Sequence, residues 1–112
     1  MLGRKFRLTA NDVREISRLR RNSKEVHSAA FSGFSLHMRE NHRGHNRFAV
    51  IIGASVARSS VKRHALKRQI MEIVRQWPIS KRDFLIVVSP HIVRISNLEI
   101  KNEFFRAAKT LI

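Results

Sequence analysis

Arg58, Lys62, Arg63, Lys67, Arg68 and Arg75 crowd residues 58–75, with His64 among them and Glu72 as the lone acid. Cations at this density neutralise phosphates, so the chemistry they offer is the binding of a polyanion. Like charges one helical turn apart repel by a few tenths of about 1 kcal/mol per pair. A nearly one-signed segment in a basic chain therefore points to an anionic partner rather than to a merely solvated face. Cutting a phosphodiester with protein groups alone usually needs clustered carboxylates that hold metal ions. The eight acids Asp12, Glu15, Glu25, Glu40, Glu72, Asp83, Glu99 and Glu103 are scattered among basic residues. Asp12 and Glu99 have helix-capping positions, and Asp83 opens an apolar run. No catalytic residue is assigned.

The six histidines suggest a metal, with His42 and His45 in a polar loop beside Arg39, Arg43 and Arg47. A zinc site would need a third ligand such as His37 or His27, which spacing does not place. The favoured reading is a solvated loop that touches RNA, with no metal site. The absence of cysteine excludes disulfides, thiolate catalysis and cysteine-based zinc sites.

The balance of 23 Lys+Arg against 8 Asp+Glu gives a formal net charge of +15 over 112 residues. Nucleic acid is the first choice of partner and an anionic membrane surface a weaker second. At 43% hydrophobic residues the chain can bury one modest core. Residues 1–112 are read as a single RNA-binding domain. The longest nearly uncharged apolar stretch, 48–57, is about half of a membrane span. The basic start, 1–5, is followed by no apolar signal core. The expectation is a cytoplasmic protein with no membrane contact and no small-molecule substrate.

Several elements must position these cations. Thr9 can cap a first helix, with Asp12 at its third position and Leu8 and Val13 spaced as a hydrophobic staple. Val13, Ile16 and Leu19 give the core stripe, and the helix is expected to end near Arg21 and Asn22. Phe34, Leu36 and Met38 alternate with Ser35 and His37 as in a half-buried strand. Phe31 is out of phase, so the strand start stays open. Either Phe34 or His37 could present a ring to an unpaired base, and the side covered by helices is not fixed.

Residues 39–46 read as a hairpin loop, and 48–52, apolar throughout, as a central strand. The basic helix opens at Ser59 or Ser60 and stops before Pro78. Its buried stripe is Leu66, Ile70, Ile73 and Val74, with His64, Arg68, Met71 and Arg75 opposite. A third strand covers 83–88. A last helix begins at Ser96 with a capping box to Glu99 and a staple between Ile95 and Ile100. The class is α+β: a single α/β sandwich in the order α-β-β-α-β-α around one mixed central sheet, with room for an extra short strand.

Residues 60–75 resemble a signature of the protein subunit of bacterial ribonuclease P, A-V-x-R-N-R-x-K-R followed shortly by R-E. Val61, Arg63, Lys67, Arg68 and Glu72 match it, and Leu66 is a conservative substitute. His64, Ala65 and Met71 stand where that family has Asn, Arg and Arg. Arg7-Leu8 ahead of the first helix, the strand at 47–52, the strand at 83–90 and the terminal helix extend the likeness over nearly the whole chain. The connection before the signature is one residue longer. Val13 and His37 replace a usual Phe and a frequent Tyr, which marks a divergent member.

The resemblance implies a catalytic RNA that removes the 5′ leader of precursor tRNA with Mg²⁺ held mainly by RNA. It implies that Arg58, Lys62, Arg63, His64, Lys67, Arg68 and Arg75 lie against that RNA. It implies that Arg7, Val13, Phe34, Leu36 and His37 hold the leader, and that the crossover through the basic helix is left-handed. A structural RNA-binding protein, such as a ribosomal protein, is the alternative that composition and fold class leave open.

Overall fold

The computed structural model describes residues 3–21 and 23–111. Met1 and Leu2 of the basic start, Asn22 at the expected end of the first helix, and Ile112 lie outside them. The elements are a 3-10 turn at Arg4–Phe6, α1 (Ala10–Leu19), β1 (His27–Phe31), β2 (Phe34–Glu40), β3 (Arg47–Ile51), α2 (Ser60–Val74), β4 (Arg82–Val88), a second 3-10 turn at Pro90–Arg94, and α3 (Asn97–Leu111). The extra strand is thus β1. It forms a hairpin with β2, from His27 opposite Met38 to Phe31 opposite Phe34. Gly33 closes that hairpin at φ 88°, a conformation that disfavours other residues. A Cβ there would meet Ile92 Cδ1 at 2.7 Å.

The sheet order is β1-β2-β4-β3, with β2 antiparallel and β3 parallel to β4. Two expectations are corrected here. Residues 39–46 form no hairpin, because β4 lies between the strands they connect. The apolar strand β3 is not central but at the edge, and its Ile51 is 40% exposed. Part of that edge is covered by the chain ahead of α1: Arg7 bridges Phe48, and the Leu8 N–H donates to the Phe48 carbonyl at 2.8 Å. Of the two inner strands, β2 and β4, β4 has the more residues buried: Asp83, Phe84, Leu85, Ile86 and Val88. Strands covered on both faces lose the alternation of half-buried ones.

One face of the sheet carries Phe34, Leu36, Met38, Phe48, Val50, Phe84, Ile86 and Val88 into the main core, which α2 and α3 close with Ile70, Val74 and Phe104. The Phe34 and Phe104 rings stack with centroids 3.9 Å apart. Loss of either ring would cost about 3–5 kcal/mol through the cavity left behind. The second face is only partly covered. There α1 packs Ile16 on Leu85, with Val13, Leu19, Ala49 and Val87 around them.

The helix starts follow local chemistry. Thr9 accepts from the Asp12 N–H while Asp12 accepts from the Thr9 N–H, a complete capping box. Ser59 accepts from the Lys62 N–H and Ser96 from the Glu99 N–H. No described helix is long and apolar enough to cross a membrane.

Candidate nucleic-acid interface

The helix α2 is fastened to the core along Ile70, Met71, Ile73 and Val74. Met71 therefore belongs to the buried side, against the expectation that it faces outward. The apolar arc is wide enough to take it in, since it lies one turn from Val74 and beside Ile70. Lys62, His64, Lys67 and Arg68 are exposed, His64 and Arg68 on the far side of the helix and Lys62 and Lys67 in its first turns, with Arg58 just before it. These five make no ion pair with a described acid. Arg75 is different, because its Nε donates to Glu72 at 2.8 Å and its charge is partly answered within the helix.

Arg63 is half-buried and folds back. Its guanidinium donates to the Ala57 carbonyl at 2.7 Å and the Arg58 carbonyl at 2.8 Å. It holds the loop that enters the helix, and less of it faces outward than the spacing suggested. What remains is a short, one-signed surface on a rigid support, suited to phosphate contact rather than to bond cleavage.

The second face of the sheet is organised by an acid. Asp83 is 0% exposed and in register with Arg39 on β2 and Arg47 on β3. Arg47 donates to it through Nε at 2.8 Å and a terminal nitrogen at 2.9 Å, Arg39 through Nε at 3.1 Å, and Asn41 at 3.0 Å. The same arginines reach α1: Arg47 to Asp12 at 3.3 Å, and Arg39 to Asp12 at 3.5 Å and to Glu15. The Asp83 hydrogen bonds hold the Arg47 guanidinium above its ordinary pKa despite burial. Burial pushes the Asp12 carboxyl up, but the Thr9 hydrogen bonds and the Arg47 and Arg39 charges outweigh it and hold the pKa below the usual value. Two arginines that looked like loop cations are thus internal fasteners between α1 and the sheet.

The open hollow beside this network, about 750 Å³, is lined by both signs of charge, including Glu25, Glu40, Lys24 and Arg43. Mixed signs suit a phosphate poorly. His42 and His45 do not form a metal centre with other residues, since no three His, Asp or Glu side chains converge among the described residues. The His45 ring instead contacts the Lys5 carbonyl at 2.9 Å and the edge of Phe6.

The five residues expected at the leader separate. Phe34 and Leu36, at 2% and 1% exposure, lie in the core under α2 and α3 and have no surface to offer. This corrects their assignment, because side chains one apart on a strand point to opposite faces. His37 and Val13 share the other face, with Val13 half-buried on α1. Arg7 is exposed outside β3, two strands from His37.

His37 is 6% exposed. Its Nδ1 lies 2.6 Å from Ser28 Oγ and its Nε2 lies 3.1 Å from a terminal nitrogen of Arg20. Burial first, then the Arg20 charge, lowers its pKa. Arg20 escaped the sequence-level expectations. The available signal was a cation one position beyond the core residue Leu19, at the helix end where it turns back toward the sheet.

Comparison with known proteins adds a family. The family model for ribonuclease P matches residues 2–111. The ribonuclease P protein component of Stutzerimonas stutzeri (strain A1501) is 32% identical over 75 residues, 65% of this chain and 57% of that protein. The match therefore spans a little over half the length of that relative. The fold is similar to the RNase P protein of Staphylococcus aureus, with a TM-score of 0.78 and 19% identity over 94% of each chain. It is also similar to the RNase P protein of Thermotoga maritima, with a TM-score of 0.76 and 18% identity over 95% of this chain and 97% of that one. At such identities the structural likeness speaks for the fold alone.

Proposed function

Because the chain belongs to the ribonuclease P protein family, we propose that it is the protein subunit of a ribonucleoprotein that removes the 5′ leader of precursor tRNA. The observation that carries this reading is the surface of α2. Lys62, Lys67 and Arg68 stand exposed and unpaired among the described residues, on a helix whose other side is locked in the core. Such a surface binds a large anion without spending its charge on the protein itself.

In this reading the surface of α2 lies against the catalytic RNA, with Arg58, His64 and Arg75 at its margins and Arg63 bracing its entry. Precursor tRNA is the substrate, and its unpaired leader lies on the face of the sheet that α1 leaves open. Val13 and His37 belong to that face, with Arg7 at its far edge. The protein lowers phosphate repulsion and holds the substrate in place, which is positioning rather than bond chemistry. Mg²⁺, when bound, would supply charge neutralisation at the scissile phosphate. The described residues offer no convergent donor set for it, so the reading leaves the ion to the RNA.

The experiment is 5′ processing of precursor tRNA at low Mg²⁺ with the cognate catalytic RNA alone, the protein alone, and both. Strong cleavage only with both is expected. Cleavage by the protein alone would make it a nuclease. No enhancement of a competent RNA would leave a general RNA-binding protein.

A further inference from the structure

We propose that Arg20 is the residue that grips the phosphate backbone of the leader, and that His37 is its positioning residue. The proposal rests on the reading of the open sheet face as the leader site, and it names the group that does the binding there.

The chemistry of the donors fixes the arrangement. A guanidinium only donates, so His37 Nε2, 3.1 Å from Arg20, is the acceptor. His37 Nδ1 then carries the proton and donates to Ser28 Oγ at 2.6 Å. The Ser28 oxygen being engaged as an acceptor, its own proton is left to point outward. The ring of His37 is covered, at 6% exposure, and cannot serve as a stacking platform. It works instead as a strut between two exposed donors, Arg20 at the C-cap of α1 and Ser28 on β1.

Arg20 differs from the cations that carboxylates hold. Arg39, Arg47, Arg75 and Arg106 are held by carboxylates. Arg20 is held by a neutral acceptor and pairs with no described acid, so its charge is oriented yet unanswered. Beside His37 the hairpin of β1 and β2 presents small side chains. Ser28 and Ala30 of β1 are exposed and pair with His37 and Ser35 of β2, which puts all four on one face. A single strand of nucleic acid can approach that surface closely. Its bases lack a ring to stack on there, so the backbone is what Arg20 and Ser28 can recognise.

The test uses the holoenzyme reconstituted with its catalytic RNA, and compares binding of leader-bearing precursor with mature tRNA over a salt series. Wild type should favour the precursor. Arg20→Ala should weaken precursor binding about tenfold, leave mature tRNA unchanged, and flatten the slope of log affinity against log salt by about 0.7, the share of one single-strand phosphate. Arg20→Lys should recover part of it. His37→Leu should match Arg20→Ala, the double variant should be no worse than either, and His37→Gln, which keeps an acceptor, should stay near wild type.

Retention of the full precursor preference in Arg20→Ala overturns the proposal alone. Equal loss for precursor and mature tRNA overturns it too, by placing Arg20 on the tRNA body. A wild type with no preference overturns the leader reading of this face and the proposal with it.

Discussion

Replacing Asp83 by alanine removes the acceptor of four hydrogen bonds, two from Arg47, one from Arg39 and one from Asn41. The space left is small, but the charges left are not. Arg47 is 8% exposed and would keep only its contact with Asp12 at 3.3 Å. Breaking one partner out of a buried pair costs about 3–5 kcal/mol, because the remaining charge is stranded in a poor solvent. Asp12 and Glu15 still answer part of it, which puts the expected cost near the lower end, about 3 kcal/mol. At about 4 °C per kcal/mol for a domain of this size, the melting temperature should fall by about 12 °C. Thermal and urea unfolding would measure it, and amide exchange in α1 should rise, since Asp12 and Glu15 link that helix to the arginines of the network. Removing both charges together, as Asp83→Leu with Arg47→Met, should return stability to within about 1 kcal/mol of wild type. A fall of less than about 3 °C for Asp83→Ala, or a double variant as unstable as the single one, would falsify this account of the network.

Arg63→Ala should lower stability by about 1 kcal/mol through the two carbonyls it leaves. Lys67→Ala with Arg68→Ala should leave the melting temperature nearly unchanged yet weaken holoenzyme assembly, flattening its salt dependence by about two phosphates' worth. Gly33→Ala should cost about 1–3 kcal/mol, measured by urea unfolding, because the positive φ and the Ile92 side chain both oppose a Cβ. His37, lowered from the ordinary 6.5 mainly by burial, binds fewer protons in the folded protein than in the unfolded chain. The stability it contributes is present above 6.5 and lost as pH falls through its folded value. Urea midpoints measured between about pH 8 and 5 should drop on the acid side, and His37→Leu should remove that part of the drop.

Local chemistry was the legible part of this chain. Thr9 with Asp12, and Ser96 with Glu99, announce helix starts because a cap reads only its next three residues. The alternation of Phe34, Leu36 and Met38 announces a strand for a similar reason. What stayed hidden depends on partners far along the chain. An apolar run such as 48–52 looks the same whether a strand or a neighbouring segment covers its edge. The faces of β2 were distinguishable, but nothing local says which one α2 and α3 cover, and only the resemblance grouped Phe34 and Leu36 with His37. Arg39 and Arg47 looked like loop cations until the register put Asp83 between them. A lone carboxylate heading an apolar run, Asp83 before Phe84 and Leu85, was the hint that a buried charge needed company. The basic face of α2 was readable because its residues share one helix, whereas Arg20 and His37 meet only in three dimensions.

The strand order has a consequence for how the chain comes together. The hairpin of β1 and β2 is local and can form early, but β4, the inner strand that joins β2 to β3, leaves the ribosome after both of them. Pairing His37 with Leu85 closes a loop that contains all of β3 and α2. Until then β2 and β3 each lack their neighbour, with bare edges open to wrong partners. The sheet is therefore completed by a long-range pairing, which raises the loop-closure entropy that folding must overcome. Like charges gathered before that closure oppose it, so a polyanion present during synthesis would hasten folding as well as use its product.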